Sequence, residues 1–279
     1  MKLYANLAGI DVGDGFPVRV MGVLNASPES FYKDSVATTT RALQTHARRM
    51  VAEGADLLDV GAMSTAPYVN GTIGEAAEIR RMRRAVAAVR RVVSVPISAD
   101  TQRSRVAAAA LEAGATVIND VSGLSHDANM AGVARAATGV ILMASEARPT
   151  KTAPLQVIAN RLRACLARTR QAGIPATRVV LDPGIGFFRR ASLPWYELDC
   201  VLLRDLAVLR RLGRPLLVGL SRKSFIGRIA RHRDAEDRLY GSLAGAAIAV
   251  FNGAALIRTH DVAATRDAVR IAEAIRGAR

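Results

Sequence analysis

The chain switches between two hydrophobic periods from one end to the other. Stretches with apolar residues three or four apart give way, a few residues later, to short continuous apolar runs that stop at polar residues. The runs are Val18 to Leu24, Leu57 to Val60, Val95 to Ala99, Thr116 to Ile118, Val140 to Met143, Val179 to Leu181, Leu216 to Leu220 and Ala255 to Ile257. Their length and β-branched content suit strands buried on both faces, as in a parallel sheet.

Between them lie amphipathic stripes that predict helices: Leu43, Ala47, Met50 and Val51; Ile79, Met82, Val86 and Val89; Val106, Ala109, Ala110 and Ala113; Ile158, Leu162, Cys165 and Leu166; Leu202, Leu206 and Leu209. Thr72-Ile73-Gly74-Glu75 reads as a capping box ahead of the second stripe. Gly54, Gly114, Gly139, Gly173, Gly213 and Gly253 stand just before runs, where a helix C-terminus calls for a positive φ. Eight strands alternating with helices predict an α/β fold, a single (β/α)8 TIM barrel over residues 1–279. Residues 1–16 form a short N-terminal extension, placed across the barrel's bottom face. An open doubly wound sheet is the alternative, but no G-x-G-x-x-G follows the first strand.

Composition fits this picture: 279 residues, half of them hydrophobic, suffice for one large domain. The net charge of +15 comes almost wholly from arginine, the only lysines being Lys2, Lys33, Lys151 and Lys223. Many arginines fall on helix-like segments, such as Arg80, Arg81, Arg83 and Arg84, with few aromatics between them to stack bases. Solvated helix faces are therefore expected, and no nucleic-acid partner. Cys165 and Cys200 lie in predicted helices without metal-ligand spacing, which points to reduced thiols and a cytoplasmic protein. The start lacks the apolar core of a secretory signal, and the longest near-apolar run, Leu243 to Ile257, is short for a membrane span and contains Asn252.

In such barrels chemistry sits at the C-terminal strand ends. There the chain places Asn25 with Ser27; Asp59 with Ser64 and Thr65; Asp100 with Thr101; Asn119 with Asp120; Ala144 with Ser145; Asp182; Lys223; and Arg258 with His260. Asp100, Asn119, Asp182 and Lys223 suit a flat, nitrogen-rich ring offering several N–H groups and acceptors. Asn25, Arg258 and His260, with the Ser64 and Thr65 hydroxyls, suit a phosphate or diphosphate. Ser221-Arg222-Lys223-Ser224 puts two cations and two hydroxyls at one strand end, again an anion site. Each aspartate taken singly has a plainer reading: Asp100 or Asp120 as a helix N-cap, Asp59 as a barrel interior group that bonds only its neighbours.

At these residues the sequence resembles the dihydropteroate synthase family. The matching stretches are Met21-Gly22-Val23-Leu24-Asn25-Ala26-Ser27-Pro28-Glu29-Ser30-Phe31, Gly54 to Gly61 with Ser64-Thr65, Pro96 to Thr101, Ile118 to Gly123, Leu181-Asp182-Pro183-Gly184-Ile185-Gly186-Phe187, Ser221 to Ser224 and Arg258 to Val262. The resemblance implies the same barrel and a reaction in which p-aminobenzoate displaces diphosphate from 6-hydroxymethyl-dihydropterin diphosphate, with Mg²⁺ present. It implies that Asp100, Asn119, Asp182 and Lys223 hold the pterin, with Asp100, Asp182 and Lys223 catalytic. Asn25, Ser64, Thr65, Arg258 and His260 would hold diphosphate, Asn25 also the metal, and Ser27, Phe187 and Ser224 the arylamine. A homodimer is also implied, paired through outer helices, with Leu243 to Val250 as a candidate interface.

Three departures from the family pattern fall on the acceptor side. Ser64-Thr65-Ala66-Pro67 lacks the usual arginine; Gly186-Phe187-Phe188-Arg189 replaces a Gly-Phe-Gly-Lys; and Met143-Ala144-Ser145 replaces a strand end in His-Met. These forms resemble a branch associated with tetrahydromethanopterin synthesis, whose acceptor would be a ribofuranosyl-aminobenzene phosphate that Arg189 and Arg190 could meet. The competing readings are a pterin- or folate-dependent methyltransferase, which needs no diphosphate site, and a pterin-binding protein without activity.

Overall fold

The structure, a computed structural model, describes residues 2–27, 37–64, 73–145, 154–189 and 193–278. A hairpin of β1 (Tyr4–Leu7) and β2 (Ile10–Gly13) precedes eight parallel strands: β3 (Arg19–Asn25), β4 (Leu57–Gly61), β5 (Ile97–Asp100), β6 (Val117–Asp120), β7 (Gly139–Met143), β8 (Val179–Asp182), β9 (Leu217–Gly219) and β10 (Leu256–Thr259). Strands β3 to β8 pair in chain order, and β10 sits between β3 and β9. One parallel bridge, Leu181 to Leu216, and a 3.0 Å bond from the Leu181 N–H to the Pro215 carbonyl join β8 to β9. The predicted (β/α)8 barrel is thus closed.

The helices on its outside are α1 (Thr40–Ala52), α2 (Glu75–Arg90), α3 (Ser104–Glu112), α4 (Met130–Ala136), α5 (Pro154–Gln171), α6 (Trp195–Arg204), α7 (Leu206–Leu209), α8 (Ser224–Ala230), α9 (Leu239–Phe251) and α10 (Val262–Gly277). None of them is long and apolar enough to cross a membrane. Their apolar stripes meet the outward strand residues in the larger core, where Leu43, Met50, Met82, Val86 and Leu162 are fully covered. A second core lies inside the barrel. Met21, Leu57, Val117, Val180, Leu217 and Leu256, all near the N-terminal ends of their strands, point inward and pack on Ala5, Leu7 and Val12 of the hairpin. The hairpin within residues 2–16 therefore stoppers the bottom, and its own strand signal is too short to predict it.

Several local expectations are corrected. Five of the six glycines have positive φ, but Gly139 begins β7 outside the left-handed region. A Cβ there would lie 2.7 Å from Leu7 Cδ2, so that glycine admits the hairpin instead of ending a helix. Helix α2 starts at Glu75 with Gly74 as its N-cap and no side-chain cap bond, while Thr72 lies outside the described residues. The Leu202–Leu209 stripe is two helices broken at Asp205. The third barrel strand starts at Ile97, because Pro96 has no N–H for the ladder.

Candidate active site

Period-two alternation decides what each strand sends into the barrel. In β4, Leu57, Asp59 and Gly61 share the inner face; in β6, Val117 and Asn119; in β10, Leu256 and Arg258. The lower member of each set joins the apolar interior and the next lies one layer higher, among polar neighbours. There Arg258 donates from Nε to Asp59 Oδ2 at 2.7 Å and from Nη2 to Asp100 Oδ2 at 2.9 Å. Asn119 Nδ2 donates to the same Asp59 oxygen at 3.0 Å. Register places Asp100 beside both Gly61 and Asn119. Gly61 keeps this layer open, since a Cβ there would stand 3.5 Å from Asn25 Oδ1 and 3.9 Å from the Asp100 side chain.

Four strands thus supply one charged floor, and its acceptors are not all used. Asp59 Oδ1, Asp100 Oδ1, and the hydroxyls of Ser98 and Ser27 are buried without a hydrogen-bond partner. Burial pushes the Asp100 carboxyl up to about 7; Arg258 opposes the rise, and the nearby carboxylates of Asp59, Glu78 and Asp120 add to it. Asp59, Asp100 and Asp182 raise Arg258 despite its burial. Asp59 was read from sequence as a group that bonds only its neighbours, and it takes that place, fully buried. Glu78 of α2 went unnoticed. It sits behind the floor, accepting from Thr101 Oγ1 at 2.8 Å and Arg103 Nη1 at 2.7 Å. Asp120 turns the other way, accepting from the N–H groups of Ser122 and Leu124 at 2.7 and 2.8 Å, a turn-forming role.

A second group gathers where β8 and β9 end. Asp182 accepts from the Gly184 N–H at 2.7 Å. Burial raises its carboxyl, with Lys223 working against the rise. Lys223 donates to the Ile185 carbonyl, and its Nζ lies 4.6 Å from the Phe187 ring centre. Burial pulls the ammonium down to about 8, against the support of Asp182 and Asp199. Arg189 Nη2 reaches Ser224 Oγ at 2.8 Å while its guanidinium lies 4.2 Å over Trp195. Asp199, on α6, accepts from the Gly186 N–H at 2.7 Å. No strand end marks Asp199; the only sequence hint is an acid inside an otherwise apolar helix face.

The Ser221–Ser224 cluster divides. Arg222 has φ 55, which turns its side chain away from Lys223. It forms a two-point ion pair with Asp261 at 2.8 and 2.7 Å and donates to the carbonyls of Ala235 and Glu236 at 2.9 and 2.7 Å. The expectation of two anion-binding cations is corrected: Arg222 ties loops together. His260 is buried and neutral. Its Nδ1 lies 3.0 Å from Ser221 Oγ, and burial followed by Arg258, Arg222 and Lys223 pushes the imidazole down to about 3, leaving it neutral. Asn25 ends β3, Ser27 is buried just beyond it, and Ser64 is half-buried after β4. Thr65, Ala66, Arg190 and the Pro28–Phe31 part of the first motif lie outside the described residues. Among the described residues no three His, Cys, Asp or Glu side chains are grouped to hold a metal ion by themselves.

Comparison with known proteins agrees with this geometry. A family model described as pterin binding enzyme matches residues 21–260. The dihydropteroate synthase of Synechocystis sp. is 36% identical over 264 residues, covering 92% of this chain and 89% of the relative. Among solved structures, the Yersinia pestis dihydropteroate synthase in a sulfonamide drug complex superposes with a TM-score of 0.88 at 32% identity, over 99% of this chain and 100% of that one. The Coxiella burnetii dihydropteroate synthase in complex with pteroic acid does so with 0.86 at 34% identity, over 99% of each chain. This chain therefore belongs to the dihydropteroate synthase family of pterin-binding enzymes.

Proposed function

We propose that the chain is a transferase that condenses 6-hydroxymethyl-7,8-dihydropterin diphosphate with an anionic arylamine, p-aminobenzoate, releasing diphosphate. The observation that carries this reading is the buried floor with acceptors left over: Asp100 Oδ1 has no partner among groups that hold its other oxygen rigidly. Such an atom suits a ring N–H, because an unpaired buried acceptor costs about 1–3 kcal/mol until a ligand satisfies it. The pteroic acid bound to the Coxiella burnetii relative, the two substrates' organic parts joined, supports the same chemistry.

On this reading the pterin lies between Asp100, Asn119 and Asp182, with Lys223 at its rim. The arylamine nitrogen attacks the exocyclic methylene; the C–O bond breaks, the electron pair leaves with diphosphate, and the nitrogen sheds a proton. Positive charge grows on the pterin as the leaving group departs, and the Asp100 and Asp182 carboxylates face it from fixed positions. Neutral His260 serves the diphosphate as a hydrogen-bonding group, and Arg258, clamped by two carboxylates, as a fixed cation. Phe187, Ser27 and Ser224 line the acceptor side. Mg²⁺ fits the donor set: it binds through one or two protein oxygens plus substrate phosphates and waters, and Asn25 Oδ1 is an oxygen at the floor's edge. When bound, the ion would neutralise charge on the leaving diphosphate.

One observation favours a second acceptor. Arg189 brings a permanent cation onto Ser224, and a ribofuranosyl-aminobenzene phosphate would meet it with a phosphate. The test is diphosphate release from the pterin substrate with Mg²⁺, run with p-aminobenzoate, with its ribofuranosyl phosphate derivative, and with neither. Turnover with p-aminobenzoate is expected. Turnover only with the ribosyl phosphate would move the chain to methanopterin synthesis, and none with either would leave the methyltransferase or binding-only readings.

The same proposal includes a homodimer. Ile248 and Phe251 are exposed on α9, at 50% and 56%, and Ile271 and Ile275 on the contacting α10, at 63% and 61%. Apolar side chains bared on two adjoining helices suit a subunit contact. Light scattering is expected to give twice the 29.7 kDa chain mass; a monomer at micromolar concentration would refute it.

A further inference from the structure

Asp199 is fully buried on α6, away from every strand end, and only half of its carboxylate is used. Oδ1 accepts from the Gly186 N–H at 2.7 Å; Oδ2 is buried with no hydrogen-bond partner. Gly186 has φ 81, and a Cβ there would lie 2.7 Å from Lys223 Cδ and 3.5 Å from Nζ. The backbone at Gly186 therefore passes between Asp199 and Lys223. Its neighbours are held by the same lysine, Ile185 through its carbonyl and Phe187 through its ring. A buried half-used carboxylate is costly where an amide or an apolar residue would pack, so its charge needs a purpose.

We infer that Asp199 is a positioning residue for the acceptor half of the site: it anchors the Ile185–Phe187 strap over Lys223 and adds a second negative charge, after Asp182, on the far side of that strap. This rests on the proposed function only for its effect on turnover. The charges that face Asp199 are Lys223, from the junction into α8, and Arg189, beyond the strap. Arg228 of α8 lies over Tyr196, α9 carries no charged residue, and Glu197 and Cys200 share α6 with Asp199. Burial raises the Asp199 carboxyl to about 6, with the Gly186 bond and the two cations holding it down, so it is ionised at pH 7.5. Lys223, pulled down to about 8, stands where a neighbouring anion decides how much of it is charged.

Two variants separate the roles. Asp199→Asn keeps an acceptor for Gly186 and removes the charge; Asp199→Ala removes both. With only four lysines in the chain, pulse acetylation read by mass spectrometry follows Lys223 alone, with Lys2 as reagent control. In Asp199→Asn the midpoint of the Lys223 profile is expected about one unit lower, giving about fivefold faster acetylation at pH 7. In Asp199→Ala the Gly186 amide is expected to exchange at least about tenfold faster, and in Asp199→Asn to stay within about threefold of the parent. In turnover, both variants raise KM for the arylamine. An unchanged Lys223 profile in the first, or unchanged Gly186 exchange in the second, overturns the inference. Shifted profiles without turnover on either arylamine, in parent and variants alike, uphold it and reject the proposed function instead.

Discussion

Arg258→Ala is expected to destabilise the protein by about 3–5 kcal/mol at pH 8, the cost of removing one partner from a buried ion cluster. The guanidinium holds Asp59 and Asp100 through bonds of 2.7 and 2.9 Å, and Asp59 is fully buried. Without it two carboxylates face each other inside the barrel. The loss should shrink on acidification, and the sign follows from Asp100. Its carboxyl is already raised by burial to about 7 against an unfolded value near 3.8, so the native state holds the proton more tightly between these limits. Stability from this group therefore grows as pH falls through 7, and removal of Arg258 extends that window upward. Urea unfolding at pH 8 and pH 5.5 measures both effects. A variant within about 1 kcal/mol of the parent at pH 8 would show that the floor needs no internal cation.

Asp182→Asn should act on ligand affinity with little effect on folding. Asp182 is half-buried, accepts one backbone bond, and faces Lys223. As the proposed anchor for the pterin's N–H edge it would form two charge-assisted bonds, each worth about 1.5–3 kcal/mol. The amide keeps the shape, exchanges one acceptor for a donor, and removes the charge. Pterin affinity should fall by about 10² to 10³, at about 1.4 kcal/mol per tenfold. Since burial raises this carboxyl, parental affinity should rise with pH through its titration, and the asparagine variant should lose that dependence. Titration calorimetry with the pterin diphosphate over pH 5 to 8 decides it; a variant that binds within threefold would falsify the assignment.

Much of the fold was legible because each barrel strand is covered on both faces and so appears as an unbroken apolar run, with a polar residue where the run emerges at the rim. Most of the floor was legible for the same reason: Asp100, Asn119 and Arg258 are the residues at which runs stop, while Asp59 lies inside its run. What stayed hidden depends on direction. Arg222 and Lys223 are neighbours of like charge, and only a left-handed backbone at Arg222 sends one to Asp261 and the other to the Ile185 carbonyl. The neutrality of His260 comes first from burial, which the strand-end pattern does not reveal, and then from Arg258, Arg222 and Lys223. Gly139 looks like a helix stop until Leu7, from the other end of the chain, is packed against it. Asp199 and Glu78 reach the site from helices, where a strand-end reading does not look.

The two halves of the site are built with different connectivity. Asp59, Asp100, Asn119 and Arg258 are bonded to one another across β4, β5, β6 and β10, so altering one leaves another's charge or amide exposed. Lys223 meets Phe187 and Arg189 meets Ser224, beside the seam where one parallel bridge joins β8 to β9. On the proposed assignment, lineages of this barrel are free to drift in the nucleophile they accept while inheriting the electrophile unchanged, and the departure at Phe188-Arg189 lies on the side that drift can reach.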